Sequence, residues 1–218
     1  MLGREGDGVS ASELTPRSST RLSRALIGGA LITLLAAVAL TVTLLRPAQA
    51  NSPAGPVDSG FARDMAVHHQ QAVEMSFIVR DRTTDEDVRR LAYDIINTQA
   101  NQRGMLLGWL DTWNEPKSSQ AAPMSWMDHS MPYKPHDGSL MPGMATNTEL
   151  NKLRSLSGKQ AEVYYLGLMT AHHKGGIEMA EGAAQEGETE QVRRLAQGMV
   201  NGQRAEISLM ADMVKKRS

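Results

Sequence analysis

The chain of 218 residues contains no cysteine, which excludes disulfides, zinc–thiolate sites and thiol catalysis. Aromatic residues make up only 4% of it, against 14 methionines, so bulky core filling has to come from aliphatic side chains and thioethers. A basic excess is also missing. The 23 Lys and Arg stand against 24 Asp and Glu, a formal charge of -1, whereas nucleic-acid proteins carry a clear positive surplus; no nucleic-acid partner is expected. The pattern Glu-x-x-His does not occur. Di-metal carboxylate bundles take that motif from two of their helices, so a ferritin-like di-metal oxidase is the less favoured reading.

One long uncharged run is present, from Ala25 to Leu45, preceded by Arg17, Arg21 and Arg24 and closed by Arg46. As a helix it would extend about 31 Å, enough to cross a bilayer core. Residues 1–24 read as a cytoplasmic n-region, 25–45 as a signal-peptide core or transmembrane anchor, and 46–57 as a linker. Arginine on the N-terminal flank keeps that end inside, so the remainder faces outward. Ala48-Gln49-Ala50 has the small-x-small form that signal peptidase accepts. The apolar run exceeds the usual signal core of about 7–15 residues, so membrane-anchored and secreted forms both stay open. The first fifty residues hold five Arg and three acids, and 18 basic and 21 acidic residues remain after them, a charge of -3.

Beyond the linker the sequence repeats. Shifted by 104 positions, residues 61–110 lie over 165–214 without a gap, and 13 of the 50 pairs are identical. Met65, His68, His69, Glu74 and Met75 fall on Met169, His172, His173, Glu178 and Met179. Val88 to Ala92 falls on Val192 to Ala196, Asn97 on Asn201 and Gln99 on Gln203. Phe61, Met65, His68, Ala72, Met75 and Val79 recur in steps of four and three, the seam of a packed helix. Ile95, Gln99, Gln102, Leu106 and Trp109 form a second seam, matched by Met199, Gln203, Glu206, Met210 and Met213. Thr84 with Asp85, Glu86 and Asp87, and later Gly187 with Thr189, are helix-start signals; Ser157 with Gln160 has capping-box spacing. The pattern predicts an all-α antiparallel four-helix bundle over 58–216, built from a duplicated hairpin.

Between the hairpins, residues 115–146 lose all period and contain five prolines, too many for a helix. A loop of that length is usually functional or disordered. It carries Met124, Met127, His129, Met131, His136, Met141 and Met144, with short gaps that would let a flexible backbone wrap a cation. Thioether sulfur is soft and neutral and imidazole is intermediate, so a Met/His set without thiolate suits Cu(I), Ag(I) or Cu(II) better than Ca or Mg. Copper leads. On one helix Met65 stands a turn from His68 and His69, and Met75 two turns beyond His68; Met169, His172, His173 and Met179 repeat that array. Other roles compete. Methionine in a seam is ordinarily core filler, and a seam histidine is more often a core group hydrogen-bonded by Gln99, Gln102, Gln203 or Glu206. Glu74 and Glu178 read as solvated or ion-paired acids or as ligands, and the Arg89-Arg90 and Arg193-Arg194 pairs as surface charge or partners for acids.

The doubled pattern M-x-x-H-H-x-x-x-x-E-M, the Asn97-x-Gln99 stretch leading to Met105 and Trp109, and the Met/Pro/Gly loop resemble the family catalogued as domain of unknown function 305, over about residues 58–214. The resemblance implies a ferritin-like four-helix fold, and an association of some members with copper binding and copper tolerance in the bacterial envelope. Carried over by position, it points to Met65, His68, His69 and Met75, to Met169, His172, His173 and Met179, and to Met141 and Met144 on the approach to the third long helix. At 164–166 this chain has Tyr-Tyr-Leu where Phe-Asp followed by an aromatic or Leu is commoner, so no acid stands there. The expectation is an extracytoplasmic copper-binding protein of the cell envelope, without catalysis, that sequesters or delivers Cu(I) or Cu(II). The alternative is a structural or partner-binding envelope module whose polar seam only fixes helix register.

Overall fold

A computed structural model describes residues 54–127 and 133–217. The apolar run 25–45 and the loop residues His129 and Met131 lie outside the described residues. Five helices follow one another: α1 (Pro56–Arg80), α2 (Glu86–Thr112), α3 (Asn147–Ser155), α4 (Gly158–Glu186) and α5 (Glu190–Lys215). Among the described residues there is no strand, only an isolated bridge between His136 and Ser139, and no helix is long and apolar enough to cross a membrane.

The helix ends follow from local chemistry. Pro56 opens α1 at a position where no backbone N–H is needed. Helix α2 is capped by Asp85, whose carboxylate accepts the Val88 N–H at 2.9 Å, one residue later than a Thr84 cap. Thr189 caps α5 by accepting from Val192. Ser157 precedes α4 but its hydroxyl makes no cap bond. The expected capping box is therefore not formed there: Gly158 turns the chain at φ +52°, and its N–H goes to the Arg82 carbonyl at 2.7 Å. The capping box belongs instead to α3, between Thr146 and Glu149, a short helix that the hydrophobic period does not announce. Arg89 and Arg193 also differ from expectation. Each reaches back to carbonyls of the preceding turn rather than to an acid: Arg89 to Arg80 and Thr83, Arg193 to Gly187 at 2.6 Å and Glu188 at 3.0 Å.

Helices α1 and α2 pack as one hairpin and α4 and α5 as another; α1 lies along α4, and α3 touches both. The α1–α4 pair runs antiparallel, because each end is tied to the opposite end of the other helix. At one end Asp58, fully buried, accepts the Glu188 and Thr189 N–H groups at 2.9 Å each, while the Glu188 carboxylate accepts those of Val57 and Asp58. At the other end Glu162 accepts from the Thr83 hydroxyl at 2.6 Å and from Arg217 at 2.7 Å. Buried polar groups require such partners.

The apolar interior falls into two clusters. One gathers Phe61, Met65, Leu106, Leu110, Met179 and Met199; the other gathers Met75, Val79, Ile95, Tyr165, Met169 and Met210. The histidines of α1 and α4 belong to neither.

Candidate metal centre

His68 and His69 sit midway along α1 and His172 and His173 midway along α4, and all four are buried. Antiparallel packing brings the 68 and 172 rings into contact, with centroids 3.8 Å apart and planes at 35°. Each second histidine turns toward its hairpin partner helix. His69 Nε2 meets Gln102 Oε1 of α2 at 2.8 Å, and His173 Nε2 meets Glu206 Oε2 of α5 at 2.5 Å. His172 Nε2 donates to the backbone carbonyl of His68 at 3.1 Å. The bonds leave both nitrogens of His68 and the Nδ1 atoms of His69, His172 and His173 without any protein partner, and the same is true of Gln99 Oε1 and Gln203 Oε1. Gln102 and Glu206 therefore satisfy the layer only in part.

Burial decides the charge of these rings. It holds His68 down to about 3, with His69 and His173 as further like charges; the Pro142 carbonyl opposes the shift without closing a hydrogen bond to either ring nitrogen. His69 is lowered to about 4 by burial, against the bond to Gln102. Burial and the three neighbouring imidazoles push His172 well below its ordinary value. At neutral pH these three rings are uncharged, the form in which imidazole donates a lone pair to a metal.

The four helical methionines are fully buried and divide evenly about the layer. Met65 and Met179 lie in the apolar cluster on one side, Met75 and Met169 in that on the other. Met141, Met124 and Met127 are buried in the first cluster, with Met144 packed against its edge. These three are core side chains here, not free to wrap a cation. Met124 is held at φ 65°, with its N–H donating to Asp64 Oδ2 at 2.6 Å; Trp126 Nε1 donates to the same oxygen at 2.8 Å. His136 is exposed in the 136–139 turn, Nδ1 against the Lys134 carbonyl at 3.1 Å. Glu178 is exposed and Glu74 pairs with Arg154, so neither joins the layer. Among the described residues no group of three or more His, Asp or Glu side chains is set to hold a metal ion; a site here needs thioether sulfur as well.

Gln71 is a residue that period and motif did not single out. Its amide donates to the Ala145 carbonyl at 2.8 Å and accepts the Ala145 N–H at 2.6 Å, clamping the end of the methionine loop over α1. The same loop crosses α4 where side chains have no room. A Cβ on Gly175 would lie 2.0 Å from the Pro142 carbonyl oxygen, and one on Gly143, at φ +79°, 2.4 Å from that of Ala171. The visible signal was Gly175-Gly176 in a helix interior, where glycine costs about 1 kcal/mol and where the first repeat has Gln71-Ala72.

The family described as Domain of unknown function (DUF305) matches residues 58–214. A crystal structure from Streptomyces coelicolor, described as a candidate secreted protein of DUF305, is 60% identical, with a TM-score of 0.67, over 74% of this chain and 92% of its own. A DUF305 fragment from Deinococcus radiodurans is 30% identical over 75% of this chain and 99% of its own, with a TM-score of 0.64. CopM in a Cu(I)-bound form is 20% identical over 73% of this chain and 96% of its own, with a TM-score of 0.57, and shares the fold. No curated protein matches.

Proposed function

This chain belongs to the DUF305 family, and from that premise we propose that it is an extracytoplasmic copper-binding protein, sequestering or delivering Cu(I) or Cu(II) without catalysis. The observation that carries the reading is the central layer: five buried ring nitrogens without a protein partner, between two pairs of buried thioethers. Buried polar atoms are nearly always partnered, and a soft cation is the ligand that this donor set fits. His68, His69, His172 and His173 would hold it, with Met65, Met75, Met169 and Met179 as sulfur donors. Met144, partly exposed at the edge of the clamped loop, would pass the ion on, with His129, Met131 and His136 as further loop donors; Met124, Met127 and Met141 would join only if the loop left the core. Imidazole and thioether supply exchangeable neutral ligands, which suits storage and transfer. CopM, of the same fold, has been crystallised with Cu(I), Cu(II) and silver.

The location is argued from the arginine-flanked run 25–45, which would keep the protein on the membrane if uncleaved, and from the secreted description of the S. coelicolor relative. A ferritin-like kinship of the bundle belongs to the same reading. One observation favours the structural alternative: Gln102, Glu206 and the His68 carbonyl each hold one histidine, as a register-fixing layer would.

A competitive Cu(I) titration of the purified chain against a chromogenic chelator, beside a variant with all four paired histidines changed to alanine, tests the proposal. Tight binding lost in the variant is expected, together with a copper-dependent rise in Tm seen only in the parent. Binding retained by the variant moves the site to the methionine loop. No binding by either leaves the structural module.

A further inference from the structure

The first histidines of the two pairs differ, since His172 bonds the His68 carbonyl and the His68 ring bonds nothing in the protein, but the second histidines are placed alike. His69 and His173 both turn Nε2 to the second helix of their own hairpin and both keep Nδ1 buried and without a protein partner. In the first half the partner is the amide of Gln102. An amide offers a carbonyl oxygen or an NH2 group according to how it is turned, so it is compatible with either neutral tautomer of His69. In the second half the partner is the carboxylate of Glu206, which accepts only. His173 must then carry its proton on Nε2, and the lone pair stands on Nδ1. The alternative, a proton on Nδ1 as well, would bury a donor with nothing to receive it, at a cost comparable to a lost hydrogen bond.

A carboxylate behind a ligating imidazole fixes the ring's orientation and tautomer and makes the metal-facing nitrogen a stronger donor; loss of such a partner typically costs about 10–100-fold in metal affinity. We propose that Glu206 is a positioning residue that locks His173 as an Nδ1 donor, so that the His172–His173 half takes the first copper ion ahead of the His68–His69 half. The proposal rests on the copper reading of the layer. It makes the centre directional: one half is strong and set, and the other, behind Gln102, is weaker and adjustable. An ion could thus be held on the α4 side and released from the α1 side.

The test has one arm without metal and one with it. In the metal-free full chain labelled with 15N-histidine, the ring nitrogen shifts report each tautomer. His173 is expected to be wholly Nε2–H, and Glu206→Gln to remove that lock while the circular dichroism of the fold is unchanged. In Cu(I) titrations Glu206→Gln should weaken the first site by about tenfold or more. Gln102→Glu should strengthen the second site and bring the two affinities together, and the double exchange should restore a strong site on the α1 side. If His173 keeps the Nε2–H tautomer and the first-site affinity in Glu206→Gln, or if Gln102→Glu leaves the second site unchanged, the proposal is overturned. A parent chain that binds no copper overturns the function reading itself, whatever the tautomer arm shows.

Discussion

The two apolar clusters and the layer between them obey opposite rules. In the clusters Phe61, Met65, Leu106, Tyr165 and Met179 are fully buried. Tyr165, the one of these with a polar tip, places its hydroxyl 2.8 Å from that of Ser76. In the layer, a few ångströms of helix away, five ring nitrogens and two amide oxygens have no protein partner. A sequence selected only for stability would fill that layer with leucine. The clusters hold the helices together, and the layer gives up some of that stability to keep unsaturated donors in place.

The largest expected effect sharpens this division. Phe61 is fully buried and packs edge-on against Trp126 with ring centroids 5.8 Å apart, so Phe61→Ala should cost about 3–5 kcal/mol by chemical denaturation. The paired change His68→Leu with His172→Leu should leave the metal-free protein as stable or more so, because both poorly satisfied groups are removed together. A large loss in that double variant would show that the layer is an ordinary part of the core.

Acid separates the two regions next. Above pH about 6.5 the rings of His68, His69 and His172 are neutral in folded and unfolded chains alike and contribute no pH dependence. Below it the unfolded chain takes up protons that the folded chain refuses, down to about 4 for His69 and about 3 for His68. His172 acts in the same sense. Stability should therefore fall as pH drops through that window, by about 1.4 kcal/mol per pH unit for each such imidazole. Urea titrations of the metal-free chain at pH 7 and pH 5 would measure the slope. It should flatten in the His68→Leu/His172→Leu variant.

The smallest effect lies at the bundle end. Asp58→Ala removes the acceptor for two backbone N–H groups and should cost about 1–3 kcal/mol. Copper affinity at the distant centre should be unchanged. A drop in affinity would mean that the end ties and the layer are mechanically coupled.

The fold was largely legible in the sequence because seam periodicity is a local property. Ile95, Gln99, Leu106, Met199, Gln203 and Met210 are all buried as the four-and-three spacing implied, and the proline-rich stretch 115–146 is free of helix among its described residues. For the candidate site, spacing offered a set of residues but not their arrangement. Spacing put Met65 and Met75 on one stripe with His68. Only the antiparallel alignment of α1 with α4 shows that each apolar cluster receives one of them together with the complementary methionine of the other helix, Met179 or Met169. Helix α3 was hidden because nine residues give too little period, although Thr146 and Glu149 carried its cap in plain view. Gln71, Asp64 and Asp58 were invisible for a different reason. Each bonds a segment 60 or more positions away, and nothing local marks that closure.

The turn arginines bear on the order in which the molecule assembles. Arg89 and Arg193 bond carbonyls only five to nine residues back, so each hairpin can close its own turn with little loss of chain entropy. The contact of His172 with the His68 carbonyl spans 104 positions and must wait for both. Closing a long loop costs more chain entropy than closing a short one, so the expected order is hairpins first and the histidine layer last, as they dock. Any ligand that bridges the two histidine pairs should then slow unfolding far more than it speeds folding, because it would tie together two half-molecules that otherwise meet last.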